Sequence, residues 1–167
     1  RQTWRPPCLC PARIGARAPD PEAGPIRYCR LSSPERVTMD HPFAELLDLQ
    51  VQEQRDGHSR MSLVVAPDHL NPHRVVHGAV LYALADTGMG LALYPSLAEG
   101  EICATIEIKI NYFKPVSAGT LNCLTHVVNR GRTVANLDSR IYVGETLVAQ
   151  ANGNYAIFKP RSQLSGA

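Results

Sequence analysis

The chain has 167 residues, a net charge of +2 and 44% hydrophobic residues. That length and apolar content suit one domain with a sizeable core. So small a charge, with no basic stripe interleaved with aromatics, argues against nucleic acid as a partner, and no apolar run approaches the ~18–20 residues of a membrane-spanning helix.

Charge is unevenly placed. Residues 1–38 carry seven Arg against Asp20, Glu22 and Glu35, a balance of +4, so the remainder sums to −2. The same stretch holds seven of the 13 Pro and three of the five Cys (Cys8, Cys10, Cys29), with no hydrophobic period. Such a composition buries too little surface to offset its ordering entropy. Residues 1–38 are therefore expected to be a disordered leader or a non-native, upstream extension. Three readings stay open: upstream or non-native sequence with Met39 as the natural start, an Arg-rich targeting peptide, or a disordered tail with its own role. The prolines and the missing amphipathic pattern count against the targeting peptide. Cys103 and Cys123, isolated and without metal-like spacing, suggest reduced thiols and a cytoplasmic protein.

The periodic pattern begins at Met39 and marks a domain over residues 39–160, with 161–167 a frayed tail. Pro42 to Leu49 predicts a short helix capped by Asp40. Leu49 to Arg55 and Met61 to Ala66 predict two strands joined by a turn at Asp56-Gly57. Pro67 to Arg74 is loop chemistry. Gly78 to Tyr94 is apolar on nearly every face and predicts a buried helix ended by Pro95. Gly88 and Gly90 each cost that helix roughly 1 kcal/mol of propensity, which close packing against a flat surface explains. Ile102 to Phe113 alternates strictly, with Ile102, Ala104, Ile106, Ile108, Ile110 and Tyr112 on one face and Cys103, Thr105, Glu107, Lys109 and Asn111 on the other. Leu121 to Val128, Thr133 to Val143 and Thr146 to Phe158 complete a meander. The fold class is α+β: a curved antiparallel sheet of about six strands around one long helix.

Three features carry chemistry. Asp86 lies inside the apolar helix, where a lone carboxylate is expensive unless it is paired or used. Periodicity alone allows it equally to be a solvent-facing or capping residue. His77-Gly78 stands at the helix start, where N–H groups lack internal partners and carry partial positive charge. Gly78 lets a ligand approach closely, so a thioester oxygen developing charge there would meet a backbone donor worth roughly 3–4 kcal/mol; taken alone, it reads better as a simple turn residue. His69, His73 and His77 are spaced by four like metal ligands on a helix, but Pro72 and the loop signals argue against a helix and no metal is expected.

Taken together, Asn71, His77-Gly78 and Asp86 resemble the active-site signature of PaaI-like hotdog-fold acyl-CoA thioesterases. Asn111-Tyr112-Phe113-Lys114-Pro115 and Gly131-Arg132-Thr133-Val134-Ala135 are similar to strands of that family, and the resemblance covers about residues 41–160. It implies a hotdog fold and hydrolysis of an acyl-CoA or aryl-CoA, with no cofactor, since CoA is part of the substrate. Asp86 would be nucleophile or general base, the Gly78 N–H the oxyanion donor, and Asn71 the group orienting carbonyl or water. Thr105 stands where the family often has Ser or Thr and would position the water. The site would lie across the interface of a homodimer or dimer of dimers, Asn71 and Gly78 from one chain and Asp86 and Thr105 from the other.

The chain departs from the family in Ala79, where a second Gly is usual, and in Arg74, where Gly is frequent. Arg74 either changes the loop or adds a phosphate contact. Lys114, Arg130 and Arg132 are further candidates for the CoA phosphates, though each is also readable as a solvated charge. Two other functions fit the same fold: an enoyl or hydroxyacyl dehydratase pairing the carboxylate with His77, and a non-catalytic acyl-CoA-binding module.

Overall fold

The computed structural model describes residues 41–55 and 57–160. The readings placed on 1–38, on Asp40, on Asp56 and on 161–167 lie outside the described residues. Two helices, α1 (Pro42–Leu46) and α2 (Gly78–Leu93), accompany six strands: β1 (Gln50–Arg55), β2 (His58–Val64), β3 (Ile102–Tyr112), β4 (Thr120–Arg130), β5 (Val134–Val143) and β6 (Thr146–Phe158). The strands form one antiparallel sheet in the order β1-β2-β4-β5-β6-β3. The sheet packs against α2, which is the hotdog arrangement. Among the described residues no helix is long and apolar enough to cross a membrane.

The core forms where the apolar phase of each strand meets α2. Leu63, Leu121, Leu137 and Ile141 from the sheet and Leu84, Met89 and Leu93 from the helix are fully buried. Burying each such side chain stabilises the fold by about 1.5–3 kcal/mol. At the first hairpin Arg55 pairs with His58, and Gly57 takes a φ of 72°, as a two-residue loop requires. In α1 the cap is His41, whose Nδ1 accepts from the Ala44 N–H at 3.0 Å.

The two helix glycines have different reasons. A Cβ on Gly88 would stand 2.8 Å from Thr125 Oγ1, and the Gly88 carbonyl accepts from Ser59 Oγ at 2.7 Å. Here the helix does lie hard against the sheet. A Cβ on Gly90 would meet nothing within 4 Å, so the close-packing explanation does not extend to it. Opposite signs follow. Gly88→Ala is expected to destabilise by about 1–3 kcal/mol through overpacking, and Gly90→Ala to stabilise by up to about 1 kcal/mol through helix propensity. Urea midpoints of the two variants check both.

Strand β3 departs from strict alternation. Thr105 pairs with Tyr155 and Glu107 with Asn154, so Ile106 is an extra, bulged residue. A bulge shifts the phase of side chains by one. Cys103 and Thr105 before it therefore share the helix-facing side with Ile108 and Ile110 after it, while Ile106 is 56% exposed. An isoleucine suits a strand on either side of a bulge, so the period gave no sign of it. Among the described residues β3 is also an edge strand, bonded only to β6.

Beneath the sheet, burial pushes the Cys123 thiol from the ordinary 9.0 up to about 11, against smaller opposing effects from the Thr125 and Ser139 hydroxyls. The folded value is raised, so this contribution to stability is whole below about pH 9 and is lost as pH rises toward 11. The urea midpoint should fall across that window, and fall less in Cys123→Ala.

Candidate active site

The loop before α2 is built by its own hydrogen bonds. Asn71 Oδ1 accepts from the His73 N–H at 2.9 Å and the Val75 N–H at 3.4 Å, and the Asn71 N–H donates to Val75 O at 2.8 Å. The turn closes through Arg74, whose φ is 61°. That left-handed conformation favours Gly, so the turn carries backbone strain at Arg74. The loop hands over to the helix at His77, whose N–H donates to His69 O at 2.8 Å. His77 Nδ1 accepts from the Ala79 N–H at 3.0 Å, which makes it the N-cap of α2. His69 is buried, with its Nδ1 accepting from the Ala66 N–H at 3.0 Å. The histidines spaced by four thus fall on a 3-10 turn, a loop and a cap, not on one helix.

Gly78 opens α2. The Ala79 and Val80 N–H groups both go to His77, leaving the Gly78 N–H without a partner among the described residues. A Cβ on Gly78 would come within 3.2 Å of the Tyr112 ring, whose hydroxyl donates to Gly78 O at 3.1 Å. Gly78 and Tyr112 line an open groove of about 340 Å³ together with Val75, Leu81, Lys114 and Pro115. Gly78 and Lys114 therefore share the groove at the helix mouth, His77 caps the helix beside it, and Asn71 is tied to the groove residue Val75.

Asp86 lies eight residues further along α2, about 12 Å at 1.5 Å per residue. It is half-buried, on the least covered stripe of the helix with Ala79, Tyr82 and Gly90. Its Oδ1 accepts from Thr105 Oγ1 at 2.8 Å and from the Tyr155 hydroxyl, which also lies 2.9 Å from Asp86 O. These donors compensate the carboxylate for lost water. Burial first, and the bond to Asp86 next, hold the Tyr155 phenol far above its ordinary range. Burial likewise raises the neighbouring Cys103 thiol, with a smaller contribution from Asp86. Tyr155 had no place in the sequence reading. A tyrosine on the core-facing phase of β6 signals a hydroxyl in need of a partner, but nothing local identifies that partner, 69 positions away.

Within one chain Asp86 is thus bonded to Thr105, and Gly78 shares a groove with Lys114 and with Val75, to which Asn71 is bonded. Of the candidate cations, Arg130 is bound elsewhere. It pairs with Glu101 at 3.1 Å and donates to the Ser96 and Gly131 carbonyls, tying the β4–β5 hairpin to the loop after α2. Among the described residues the side chains of Arg74, Lys114 and Arg132 have no ion pair.

One six-stranded antiparallel sheet packed on a single long helix defines the class as a hotdog-fold protein. Comparison with known proteins agrees. The thioesterase superfamily model matches residues 73–150. A mutant of the phenylacetic acid degradation protein PaaI from Thermus thermophilus superposes with a TM-score of 0.65 at 30% identity, covering 70% of this chain and 98% of that one. The Escherichia coli protein named acyl-coenzyme A thioesterase PaaI is 26% identical over 124 residues, 74% of this chain and 82% of that protein. An Archaeoglobus fulgidus protein provisionally named an esterase is 36% identical over 75 residues, 45% of this chain. That match spans about half the relative's length, 47%. The chain belongs to the thioesterase superfamily, in its PaaI-like hotdog branch.

Proposed function

We propose that this protein is an acyl-CoA thioesterase that hydrolyses a thioester to a free acid and CoA. The supporting observation is the Asp86 carboxylate, with Oδ1 held by the Thr105 and Tyr155 hydroxyls and Oδ2 without a partner among the described residues. As general base, Oδ2 takes a proton from water as the water oxygen attacks the carbonyl carbon; as nucleophile, it attacks that carbon itself. The C–S bond then breaks and the CoA thiolate is protonated; on the nucleophilic route water next hydrolyses the acyl–Asp86 anhydride, which releases the free acid and restores the carboxylate. The Gly78 N–H stabilises the oxyanion, and Asn71, through its amide N–H groups, orients the carbonyl or the water. Lys114, Arg74 and Arg132 are the cations for the CoA phosphates.

About 12 Å of helix separates Gly78 from Asp86, too far for both to act on one carbonyl. The reading therefore includes a homodimer, alone or within a dimer of dimers, in which each site takes Gly78 and Asn71 from one chain and Asp86 and Thr105 from its partner. The edge strand β3 carries Thr105 and offers eleven residues for such contact. A cytoplasmic setting fits the free thiols of Cys103 and Cys123. In the dehydratase alternative His77 would have to act through Nε2, since its Nδ1 is taken up as the helix cap. The names of the PaaI relatives make aryl-CoA thioesters the first substrates to try. A thiol-release screen over phenylacetyl-CoA, acetyl-CoA and palmitoyl-CoA tests the proposal. Hydration of an enoyl-CoA without thiol release, or tight binding without cleavage, would overturn it in favour of a dehydratase or a binding module.

A further inference from the structure

We infer that Tyr155 is a positioning residue for Asp86, a phenol reaching from the sheet that decides which carboxylate oxygen meets the reacting atoms. The inference rests on the thioesterase reading above. Rotation about the last torsion of an aspartate is broad and roughly two-fold, so an unrestrained carboxylate presents either oxygen. Here Thr105 and Tyr155 both donate to Oδ1. Two donors on one oxygen remove the equivalence and leave Oδ2 as base or nucleophile.

The sheet is built to deliver this pair. Thr105 and Tyr155 are cross-strand partners, at the last register position before the Ile106 bulge. Both side chains therefore stand side by side on the helix-facing side, under Asp86. The Tyr155 side chain is 3% exposed and packed in the core cluster, so its hydroxyl is held by the ring's packing. A phenylalanine would fill the same space. This hydroxyl bonds to Asp86 Oδ1, lies 2.9 Å from Asp86 O and is hydrogen-bonded to the Thr105 side chain, so the oxygen serves the Asp86–Thr105 group. The other titratable group beside Asp86 is Cys103 of β3, which the substitution leaves in place.

The test is Tyr155→Phe in the full chain, assayed by thiol release from phenylacetyl-CoA, acetyl-CoA and palmitoyl-CoA against pH. Loss of a hydrogen bond to a charged group predicts a fall in kcat of about ten- to a hundredfold with KM changed less than about twofold. The acidic limb of the kcat/KM profile should also move to higher pH, because the carboxylate loses a donor to its charged form. A purely structural role would lower the denaturation midpoint and leave the limb in place. Site-specific 3-fluorotyrosine at position 155 keeps the shape and donates more strongly, so it should move the limb to lower pH. That second protein decides the matter if Tyr155→Phe fails to fold. An active wild type whose acidic limb is indifferent to the phenol at 155 overturns the assignment of Tyr155 alone. A folded wild type that releases no thiol from any of the three substrates overturns the thioesterase reading itself.

Discussion

Asp86→Asn is expected to lower kcat at least ~10²-fold while the protein keeps its fold and oligomeric state. The expectation comes from what the substitution keeps. Asparagine retains a carbonyl oxygen where Oδ1 accepts from the Thr105 and Tyr155 hydroxyls. It replaces only Oδ2, exchanging an oxygen that accepts a proton or attacks carbon for an amide nitrogen that does neither. The side chain keeps its size, so the surrounding core, with Leu84 and Ala85 fully buried beside it, has no reason to repack. Steady-state thiol release, with circular dichroism and sedimentation on the same sample, separates lost chemistry from lost structure. Turnover equal to wild type in a folded variant would remove Asp86 from the mechanism.

The sequence exposes the elements whose pattern is local. The apolar run that becomes α2 and the alternation of β6 are both readable, and the observed β6 has the expected ends, Thr146 and Phe158. β2 begins three residues earlier than its apolar stretch, at His58, because the paired turn at Gly57 and not hydrophobicity sets its start. The Ile106 bulge is invisible for a related reason: it is a fact of pairing with β6, and strand residues before and after it look alike. That Asp86 and Thr105 belong to one half of a site was expected from family resemblance alone, and their hydrogen bond was not foreseen. Periodicity, blind to the bulge, placed Thr105 on the face opposite Ile108, whereas both lie on the helix side. Tyr155 was illegible because its significance depends on a partner brought close only by the sheet. Arg130 read as a phosphate candidate because a charge at a hairpin tip does not announce its partner, and Glu101 supplies that partner from a distant loop. Arg74 shows the reverse case, since an arginine in a position that the family often gives to Gly does adopt the left-handed backbone a glycine would.

Mixing two inactive variants is expected to restore activity if the site is shared between chains. Gly78→Pro removes the unpaired helix-mouth N–H at the first helical position, where proline is tolerated. The new ring atoms approach Tyr112, which is 51% exposed and has room to move. Loss of that single oxyanion donor should cut kcat by about 10²–10³-fold. Asp86→Asn removes the carboxylate from the other group of site residues. In a mixed two-fold dimer one site collects both substitutions and the other collects neither. Random reassortment makes half the dimers mixed, and half of their sites intact, so activity should recover to about a quarter of wild type. The check is to denature and refold the two proteins together at equal concentrations, with each refolded alone as control. Recovery near that level means that Gly78 of one chain serves Asp86 of the other. No recovery, with mixed dimers verified by mass, would mean that the two groups of residues do not meet across an interface, and the 12 Å between them would then count against a single site containing both.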